Sequence, residues 1–167
     1  MIALVSPFPA SDLGRLWNWL HEYPEANTDD YGPVSFEEFS IEMRRRMESG
    51  ERTWGVLSDG ALCGAIGFAP ATERLGWFHG ICFSQSVHGR GIARQAVARV
   101  LDELFASGIE KVCAGYFADN ARIDRLFKRL GAVEEGLLRA QTLRNGKPVD
   151  MRLIAIFRGN PLCHSLQ

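Results

Sequence analysis

The sequence lacks the features that would tie it to a membrane or to an export route. None of its 167 residues belong to a run of the roughly 18 apolar residues that a membrane-spanning helix requires. The N-terminal segment has no positively charged start, and Asp12 and Arg15 interrupt its apolar stretch, which argues against a secretory leader. We therefore expect a cytoplasmic protein with no membrane partner.

Metal-binding and disulfide spacings are also missing. The four cysteines lie far apart at Cys63, Cys82, Cys113 and Cys163, with no C-x-x-C pair, and the first three fall within apolar runs. The four histidines show no metal-ligand spacing either. We therefore expect reduced thiols packed in a core and no metal site.

An excess of basic charge is missing as well. Nineteen Lys and Arg residues against twenty Asp and Glu residues leave a net charge of −1, whereas a duplex-DNA-binding protein needs a basic field to displace counterions from phosphate. The run Arg44–Arg46 is typical of a solvated helix face. We expect no nucleic-acid partner, and a local basic patch for a small anion stays open.

The remaining composition is that of one folded domain. An apolar share of 46% and a charged share of 23% exclude a disordered chain. No repeat, low-complexity tract or Pro/Gly/Ser linker divides the sequence. We therefore expect a single domain over residues 1–167.

Apolar periodicity predicts the order α-α-β-β-β-α-β-α-β-β, with a short first strand at 2–5. The dipeptides Asp59-Gly60 and Asn145-Gly146 supply the positive φ angles of two hairpin turns. Ser11 is expected to cap the first helix, and Ser35 with Glu38 forms a capping box for the second. The helices are expected near 11–20, 35–50, 91–107 and 120–130, and the strands at 53–58, 61–68, 77–83, 112–117, 137–144 and 149–157. This pattern indicates a mixed α/β (α+β) domain around one largely antiparallel sheet.

The segment His88–Ala93 (HGRGIA) lies between a buried strand and an amphipathic helix. Its small residues let the backbone approach a ligand, and the first N–H groups of a helix have no internal partners. Together with the helix dipole, these donors form a site for phosphate, with Arg90 as a mobile charge at the rim. A tight turn that merely uses glycine would have the same sequence, so both interpretations stay open here.

Two familiar phosphate motifs do not fit this segment. A Walker A loop requires Gly-Lys-Ser/Thr, which is absent. A dinucleotide-binding fingerprint would place a third glycine where Arg94 stands, within an early β-α-β unit.

The segment resembles the pyrophosphate loop of the GNAT superfamily of acyl-CoA-dependent N-acetyltransferases, Gln/Arg-x-x-Gly-x-Gly/Ala, with His88 in place of the first residue. A second family motif, Asn followed by a helix and a Lys/Arg-x-Gly turn, resembles Asn120–Ala132. The continuation through 133–139, Arg144–Lys147 and Asp150 is similar to the branch that contains ribosomal-protein N-terminal acetyltransferases. The resemblance covers residues 53–157.

The resemblance implies a GNAT fold whose central sheet splays between its fourth and fifth strands. It assigns residues 53–157 to an acyl-CoA-binding core, residues 1–50 to variable substrate-facing helices and residues 158–167 to a tail. Acetyl-CoA would be the cosubstrate, and its pantetheine arm would lie in the gap between the splayed strands.

The same resemblance implies a set of cofactor-binding residues. Backbone groups of the fourth strand would pair with the pantetheine arm, the loop amides would hold the pyrophosphate, and an asparagine amide would meet the arm. These residues are Ile81, Cys82, Phe83, His88, Gly89, Arg90, Gly91, Ile92, Ala93 and Asn120. For Asn120, a plain helix N-cap is the alternative.

The implied reaction is direct attack of a neutral amine on the thioester. The backbone amide of Cys82 would stabilise the oxyanion, while its thiol is expected to pack rather than act as a nucleophile. Phe127 stands where many members have a tyrosine that protonates the thiolate, and Ile123 stands where some have a serine. Tyr116 or water would then protonate the thiolate, or no specific acid is needed.

The general base is expected on the strand beside the gap. His79 is the leading candidate, with Glu73 and Glu135 behind it. Strand alternation places His79 on the face of Ile81 and Phe83, and a core histidine bonded to a carbonyl is the alternative.

The acceptor is expected to be an amine with a low pKa. An α-amino group costs about 1 to 1.5 kcal/mol to deprotonate at pH 7 and a lysine about 4 to 5 kcal/mol, so a weak base suits a low-pKa amine. A peptide or protein N-terminus and a small-molecule amine are both candidates, and a non-catalytic acyl-CoA-binding module is the alternative to an enzyme. The terminal hairpin offers a sheet edge for a homodimer.

Overall fold

The computed structural model describes residues 1–160, so the tail expected at 158–167 lies outside the described residues from 161 onward. The strands are β1 (Ile2–Val5), β2 (Arg52–Ser58), β3 (Ala61–Pro70), β4 (Leu75–Phe83), β5 (Lys111–Phe117), β6 (Val133–Arg144) and β7 (Lys147–Phe157). The helices are α1 (Leu13–Glu22), α2 (Pro24–Asn27), α3 (Phe36–Glu48), α4 (Ile92–Ala106) and α5 (Ala121–Arg129). The predicted order of elements is confirmed, with the single turn α2 inside the expected loop and β6 beginning four residues before its predicted start.

The strands form one mixed sheet in the order β1-β2-β3-β4-β5-β7-β6. Every neighbouring pair is antiparallel except β4 and β5, which run parallel. This confirms the predicted α/β fold around a largely antiparallel sheet.

The fourth and fifth strands pair only at one end. Leu75–Phe78 pairs with Lys111–Ala114, whereas the following residues of β4, up to Phe83, and of β5, up to Phe117, are not paired with each other. The predicted splay therefore begins after Phe78, and the two strands diverge into a wedge-shaped gap.

Two apolar clusters cover the two faces of the sheet. Helices α4 and α5 bury one face, where Phe83, Val97 and Phe127 belong to the larger cluster. Helices α1 and α3 cover the other face, where Leu16 and Cys82 belong to the smaller cluster. The gap between β4 and β5 thus lies between a helix layer on each side.

The two predicted helix starts have different outcomes. The Ser35 side chain accepts a hydrogen bond from Glu38 N–H at 3.2 Å, and the Glu38 carboxylate accepts from Val34 N–H at 3.0 Å, so α3 is capped much as predicted. The predicted Ser11 cap is wrong, because Ser11 lies in a 3-10 turn over Ala10–Asp12 and α1 begins at Leu13.

No helix in the described part of the chain is long and apolar enough to cross a membrane.

Candidate functional site

The gap between β4 and β5 opens into a cavity of about 480 Å³. Its floor is formed by β4 from Phe78 to Cys82 and by β5 from Ala114 to Phe117, and α5 contributes Ile123 and Phe127. Its other walls come from α1, from α3 and from the segment between them, which contributes residues 26–29, 32 and 33. The splay therefore creates an internal space bordered by the first 50 residues on one side and by α5 on the other.

The backbone of Ile81 faces this gap, whereas that of Cys82 faces β3. Cys82 pairs with Ala65 in the β3–β4 ladder, and two residues further along Ser84 N–H donates to Cys63 O at 2.9 Å. Hydrogen-bonded pairs recur at every second position of an antiparallel ladder, so the Cys82 amide is directed at β3. The expected oxyanion donor at Cys82 is thus turned away from the gap, and the Ile81 amide is turned toward it.

The loop before α4 presents free backbone donors. Gly89 and Gly91 have φ angles of +76° and +74°, which L side chains adopt only with strain. In the described residues, the N–H groups of Gly89, Gly91 and the first three residues of α4 donate to no protein atom, while Arg90 N–H lies 3.4 Å from Val87 O. These donors at the N-terminus of a 15-residue helix form the predicted arrangement for an anion.

Both ring nitrogens of His88 have protein partners. Nε2 lies 3.2 Å from Phe83 O, and Nδ1 lies 3.1 Å from Nη1 of Arg122. Because a carbonyl only accepts and a guanidinium only donates, the ring proton is on Nε2. His88 therefore fixes the loop to the end of β4, and direct donation to a ligand would require this contact to break.

A smaller cavity of about 110 Å³ lies beneath this loop. It shares part of its lining with the larger cavity, including Ile81 and Asn120. The Asn120 Oδ1 atom accepts from Ile123 N–H at 3.2 Å and its Nδ2 donates to Ala26 O at 3.2 Å. The N-cap interpretation of Asn120 is confirmed, and its contact with a cofactor stays a prediction. The Arg122 guanidinium stacks 4.4 Å above the Tyr23 ring at the rim of this cavity.

A β-bulge decides the direction of the His79 side chain. Gly67 pairs with Gly80 but the next residue, Phe68, pairs with Phe78, so His79 is the extra residue in β4. A Cβ at Gly67 would come within 2.3 Å of the His79 ring, which places the ring on the face covered by α1 and α3. The prediction that His79 shares a face with Ile81 and Phe83 is therefore wrong, because those two side chains contact the cluster under α4.

His79 lines the cavity and has a charged side chain beside each ring nitrogen. Arg46 Nη1 lies 3.1 Å from Nδ1, and Glu51 Oε2 lies 3.1 Å from Nε2, although the latter contact lacks the alignment of a hydrogen bond. Since the guanidinium only donates, Nδ1 is the unprotonated nitrogen. Burial lowers the pKa of His79 below its ordinary value, the Arg46 charge lowers it further, and Glu51 opposes both effects.

The two further base candidates lie at the closed end of the gap. Glu73 precedes β4 in the turn after β3, beside the first paired residues. Glu135 accepts from Lys111 Nζ at 2.6 Å, and Lys111 pairs with Leu75 where the two strands are still joined. Neither is among the residues that line the cavity.

The Cys82 thiol has the properties of a packing group. It is buried in the cluster beneath α1 and α3. Burial raises the pKa of Cys82 to about 12, so the thiol stays protonated at neutral pH.

Tyr116 and Phe127 lie together on the β5 side of the cavity. Their rings stack with centroids 5.7 Å apart. The Tyr116 hydroxyl donates to Asp124 Oδ1 at 3.1 Å, and burial, followed by the hydrogen bond to that carboxylate, raises the pKa of the tyrosine. Tyr116 is thus a protonated phenol whose hydrogen is already shared with a carboxylate.

Residues that no single sequence motif indicates fix the wall between α1 and α3. Asp30 accepts from the N–H groups of Asn145 and Gly146 at 2.8 and 2.7 Å, and Thr142 donates to Asp29 at 2.7 Å. Arg144 donates to Glu25 O and pairs with Asp119. The contacts of Glu25, Asp29 and Asp30 with the hairpin join residues more than 110 positions apart, so no local pattern could have indicated them.

Within residues 1–160, no group of three or more His, Cys, Asp and Glu side chains is arranged to hold a metal ion.

The chain is similar in sequence to known proteins. The profile of the Acetyltransferase (GNAT) family matches residues 13–132. A curated protein described as the uncharacterized N-acetyltransferase YoaA of Bacillus subtilis is 30% identical over 69 residues, which are 41% of this chain and 39% of that protein. The match therefore spans about two fifths of that relative.

Solved structures share the fold over nearly the whole chain. A spermidine N-acetyltransferase SpeG mutant from Vibrio cholerae has a TM-score of 0.80 at 23% identity and covers 93% of both chains. A ribosomal-protein-alanine N-acetyltransferase from Brucella melitensis has a TM-score of 0.76 at 19% identity, with 94% of this chain and 99% of that chain covered. A further Vibrio cholerae spermidine N-acetyltransferase structure, in complex with CoA and spermine, has a TM-score of 0.80 at 22% identity over 93% and 95% of the two chains.

Proposed function

The chain belongs to the GNAT acetyltransferase family, and on that premise we propose that it transfers the acetyl group of acetyl-CoA to a primary amine by direct attack within a ternary complex. The observation that carries the proposal is the row of free amides from Gly89 to the first turn of α4, located beside a cavity between two diverging strands. A diphosphate on those amides would place the acyl end of a long cosubstrate in the gap.

The cosubstrate is proposed to run from the loop amides to the gap-facing backbone of Ile81. Its arm would pass through the smaller cavity, between His88 and Asn120, and reach the larger one. Arg90, exposed at the rim, would add positive charge near the phosphates. Ile92 would contribute its backbone amide alone, because its side chain is 5% exposed and belongs to the core.

The Ile81 amide is the proposed oxyanion donor. It faces the gap, whereas the amide of Cys82 faces β3. A preorganised backbone donor of this kind is typically worth about 2.7 to 4 kcal/mol in the transition state. Holding the amine and the thioester together supplies a further contribution.

Proton transfer is proposed to need little help from side chains. Phe127 has no proton to donate, and the Tyr116 hydroxyl already donates to Asp124. Water is therefore the proposed proton donor to the departing thiolate. Among the side chains, Tyr116 is the alternative donor. His79 would accept a proton only after Arg46 moves away from Nδ1.

Two acceptor classes fit a site with a weak base. A protein or peptide N-terminus is supported by the hairpin sequence similar to ribosomal-protein acetyltransferases and by the fold shared with the Brucella melitensis enzyme. A small-molecule amine is supported by the fold shared with the spermidine enzymes of Vibrio cholerae. The homodimer and the cytoplasmic location stay predictions.

A non-catalytic acyl-CoA-binding module is the second candidate. It is favoured by the same two observations that weaken acid-base catalysis, namely Phe127 in the place of a proton donor and a His79 ring whose unprotonated Nδ1 already accepts from Arg46.

The two candidates differ in amine-dependent release of free thiol. The protein is mixed with acetyl-CoA and a panel of peptides and small primary amines at pH 8, and the thiol is followed with a disulfide dye. We expect saturable release that depends on the amine. Saturable binding of acetyl-CoA without such release under any condition would show that the protein is a non-catalytic acyl-CoA-binding module and would refute the proposed transfer reaction.

Replacing Gly91 by valine tests the phosphate loop. The side chain would stand among the free amides, and we expect CoA affinity measured by calorimetry to fall at least 100-fold. Gly108→Val is the matched control, because Gly108 at the opposite end of α4 also has positive φ (+105°) and open space around it. Equal CoA affinity in the two variants would refute the loop assignment.

A further inference from the structure

Charge is divided unevenly between the two parts of the chain. Residues 1–51 contain ten acidic and four basic side chains, a net charge of −6, whereas residues 52–167 contain ten acidic and fifteen basic side chains, a net charge of +5. The second part carries the loop proposed to bind the polyanionic cosubstrate. The first part supplies the opposite walls of the cavity, where the acceptor would enter.

Asp29 is an acidic residue of the cavity lining. It lines the wall between α2 and α3. Its two carboxylate oxygens accept from Tyr31 N–H at 3.0 Å and from the Thr142 hydroxyl at 2.7 Å, so neutral donors hold it in place. Over residues 1–160, Asp29 has no ion pair within 4.0 Å, which leaves its charge available to a ligand.

The α3 wall has a similar imbalance. Glu42 and Arg46 both line the cavity and form an ion pair, and Arg46 Nη1 also lies 3.6 Å from Glu51 Oε2. One guanidinium thus faces two carboxylates, so this cluster is negative when His79 is neutral.

An independent feature of the same cavity is the buried hydroxyl of Thr53, which has no hydrogen-bond partner among the described residues. The Thr53 side chain lines the cavity and is 4% exposed. A buried hydroxyl without a partner destabilises the folded state, and a ligand group or a ligand-bound water would supply that partner.

We propose that the acceptor carries at least one cationic group in addition to the amine that is acetylated, and that Asp29 binds this second group. The inference rests on the proposed transfer reaction and narrows its acceptor. A negative cavity with low-dielectric walls concentrates cations and disfavours acceptors with a carboxylate, such as free amino acids. Two sources share the required chemistry, a polyamine and a peptide with a basic residue next to its N-terminus.

Matched acceptor pairs test the proposal. Butylamine is compared with 1,4-diaminobutane, and the peptide amide Ala-Ala-Ala with Ala-Lys-Ala, by kcat/KM from thiol release. We expect at least one dication to exceed its monocationic partner by tenfold or more, which corresponds to 1.4 kcal/mol and exceeds the statistical factor of two for two equivalent amines. The pair that shows the preference identifies the source.

Substitution of the carboxylate assigns the effect. Asp29→Asn is expected to abolish the preference, because kcat/KM for the dication falls more than kcat/KM for the monocation, and Asp29→Glu is expected to restore part of it. Glu48→Gln is the control, because Glu48 is exposed on α3, does not line the cavity and loses the same charge. The preference should persist in Glu48→Gln.

The outcomes separate this inference from the reaction on which it rests. Equal kcat/KM within both pairs, or a preference that survives Asp29→Asn, would overturn the role of Asp29 while transfer itself stands. Absence of thiol release with every amine would overturn the transfer reaction.

Discussion

His79 lies in a buried polar cluster in which Arg46 occupies Nδ1 and Glu51 lies against Nε2. The ring is neutral in this arrangement, because a second ring proton would have to point at the guanidinium. Burial and Arg46 lower its pKa in the folded protein below the ordinary value of 6.5. The unfolded chain therefore binds this proton more tightly than the folded chain.

The pH dependence of stability follows from this difference. As the pH falls through about 6.5 toward the folded pKa, the unfolded state takes up a proton that the folded state does not, so the free energy of unfolding decreases. We expect His79→Gln to reduce the shift in urea midpoint between pH 7.5 and pH 5.5. His21→Gln, at an exposed position on α1, is the control and should keep the wild-type shift. An unchanged shift in His79→Gln would contradict the burial argument.

The structural role of a residue was predictable where a short local pattern determines it. The Asn120 N-cap, the positive φ angles of the Asp59-Gly60 and Asn145-Gly146 turns, and the packing role of Cys82 all agree with the sequence analysis. The direction of His79 was not predictable, because one bulged residue reverses the alternation on which the prediction depended.

At the scale of elements, the turn between β6 and β7 holds the wall between α1 and α3. The Asp30 carboxylate accepts from two turn amides, and Arg144 joins Glu25 O to Asp119, which precedes α5. The wall thus depends on the β6–β7 turn, although that turn does not line the cavity. Sequence patterns predicted both the loop and the hairpin, but contacts between segments so far apart are set by the tertiary fold.

Loosening this contact should affect the acceptor more than the cosubstrate. Arg144→Met removes the charged hydrogen bond to Glu25 O in the wall, a bond typically worth about 1.5 kcal/mol, and we expect KM for the amine to rise roughly tenfold by that measure while CoA affinity stays within twofold. Steady-state kinetics and calorimetry measure the two quantities.

Arg158→Met provides the comparison, because Arg158 forms an exposed ion pair with Glu110 outside the cavity. Equal changes in the two variants, or a loss of CoA affinity in Arg144→Met, would show that the hairpin does not act through the wall.

At the scale of the molecule, the sheet is continuous except where β4 and β5 diverge. Local patterns predicted the elements and their order, and the resemblance to a family predicted the splay; neither gave the volume of the gap or the charge of its walls. Those properties depend on side chains brought together from α1, α3, β4 and α5.

The backbone N–H groups at this opening allow cosubstrate binding to be followed by hydrogen exchange. Amides that donate to no protein atom exchange quickly with solvent, and a bound diphosphate and arm would protect them. We expect acetyl-CoA to slow hydrogen exchange in peptides covering 80–83 and 89–94. Peptides covering β1 and β2, which pair with each other away from the gap, should not change. Protection confined to other segments would place the cosubstrate elsewhere.

The bonds of Asp29, Asp30 and Glu25 to the last hairpin also bear on how the molecule is assembled. They span 113 to 119 positions, from the first fifth of the chain to residues 142–146. During synthesis the early segment must wait, without its partners, until that hairpin has left the ribosome. The amine-facing wall is therefore among the last parts of the protein to be completed, although its residues are among the first to be made.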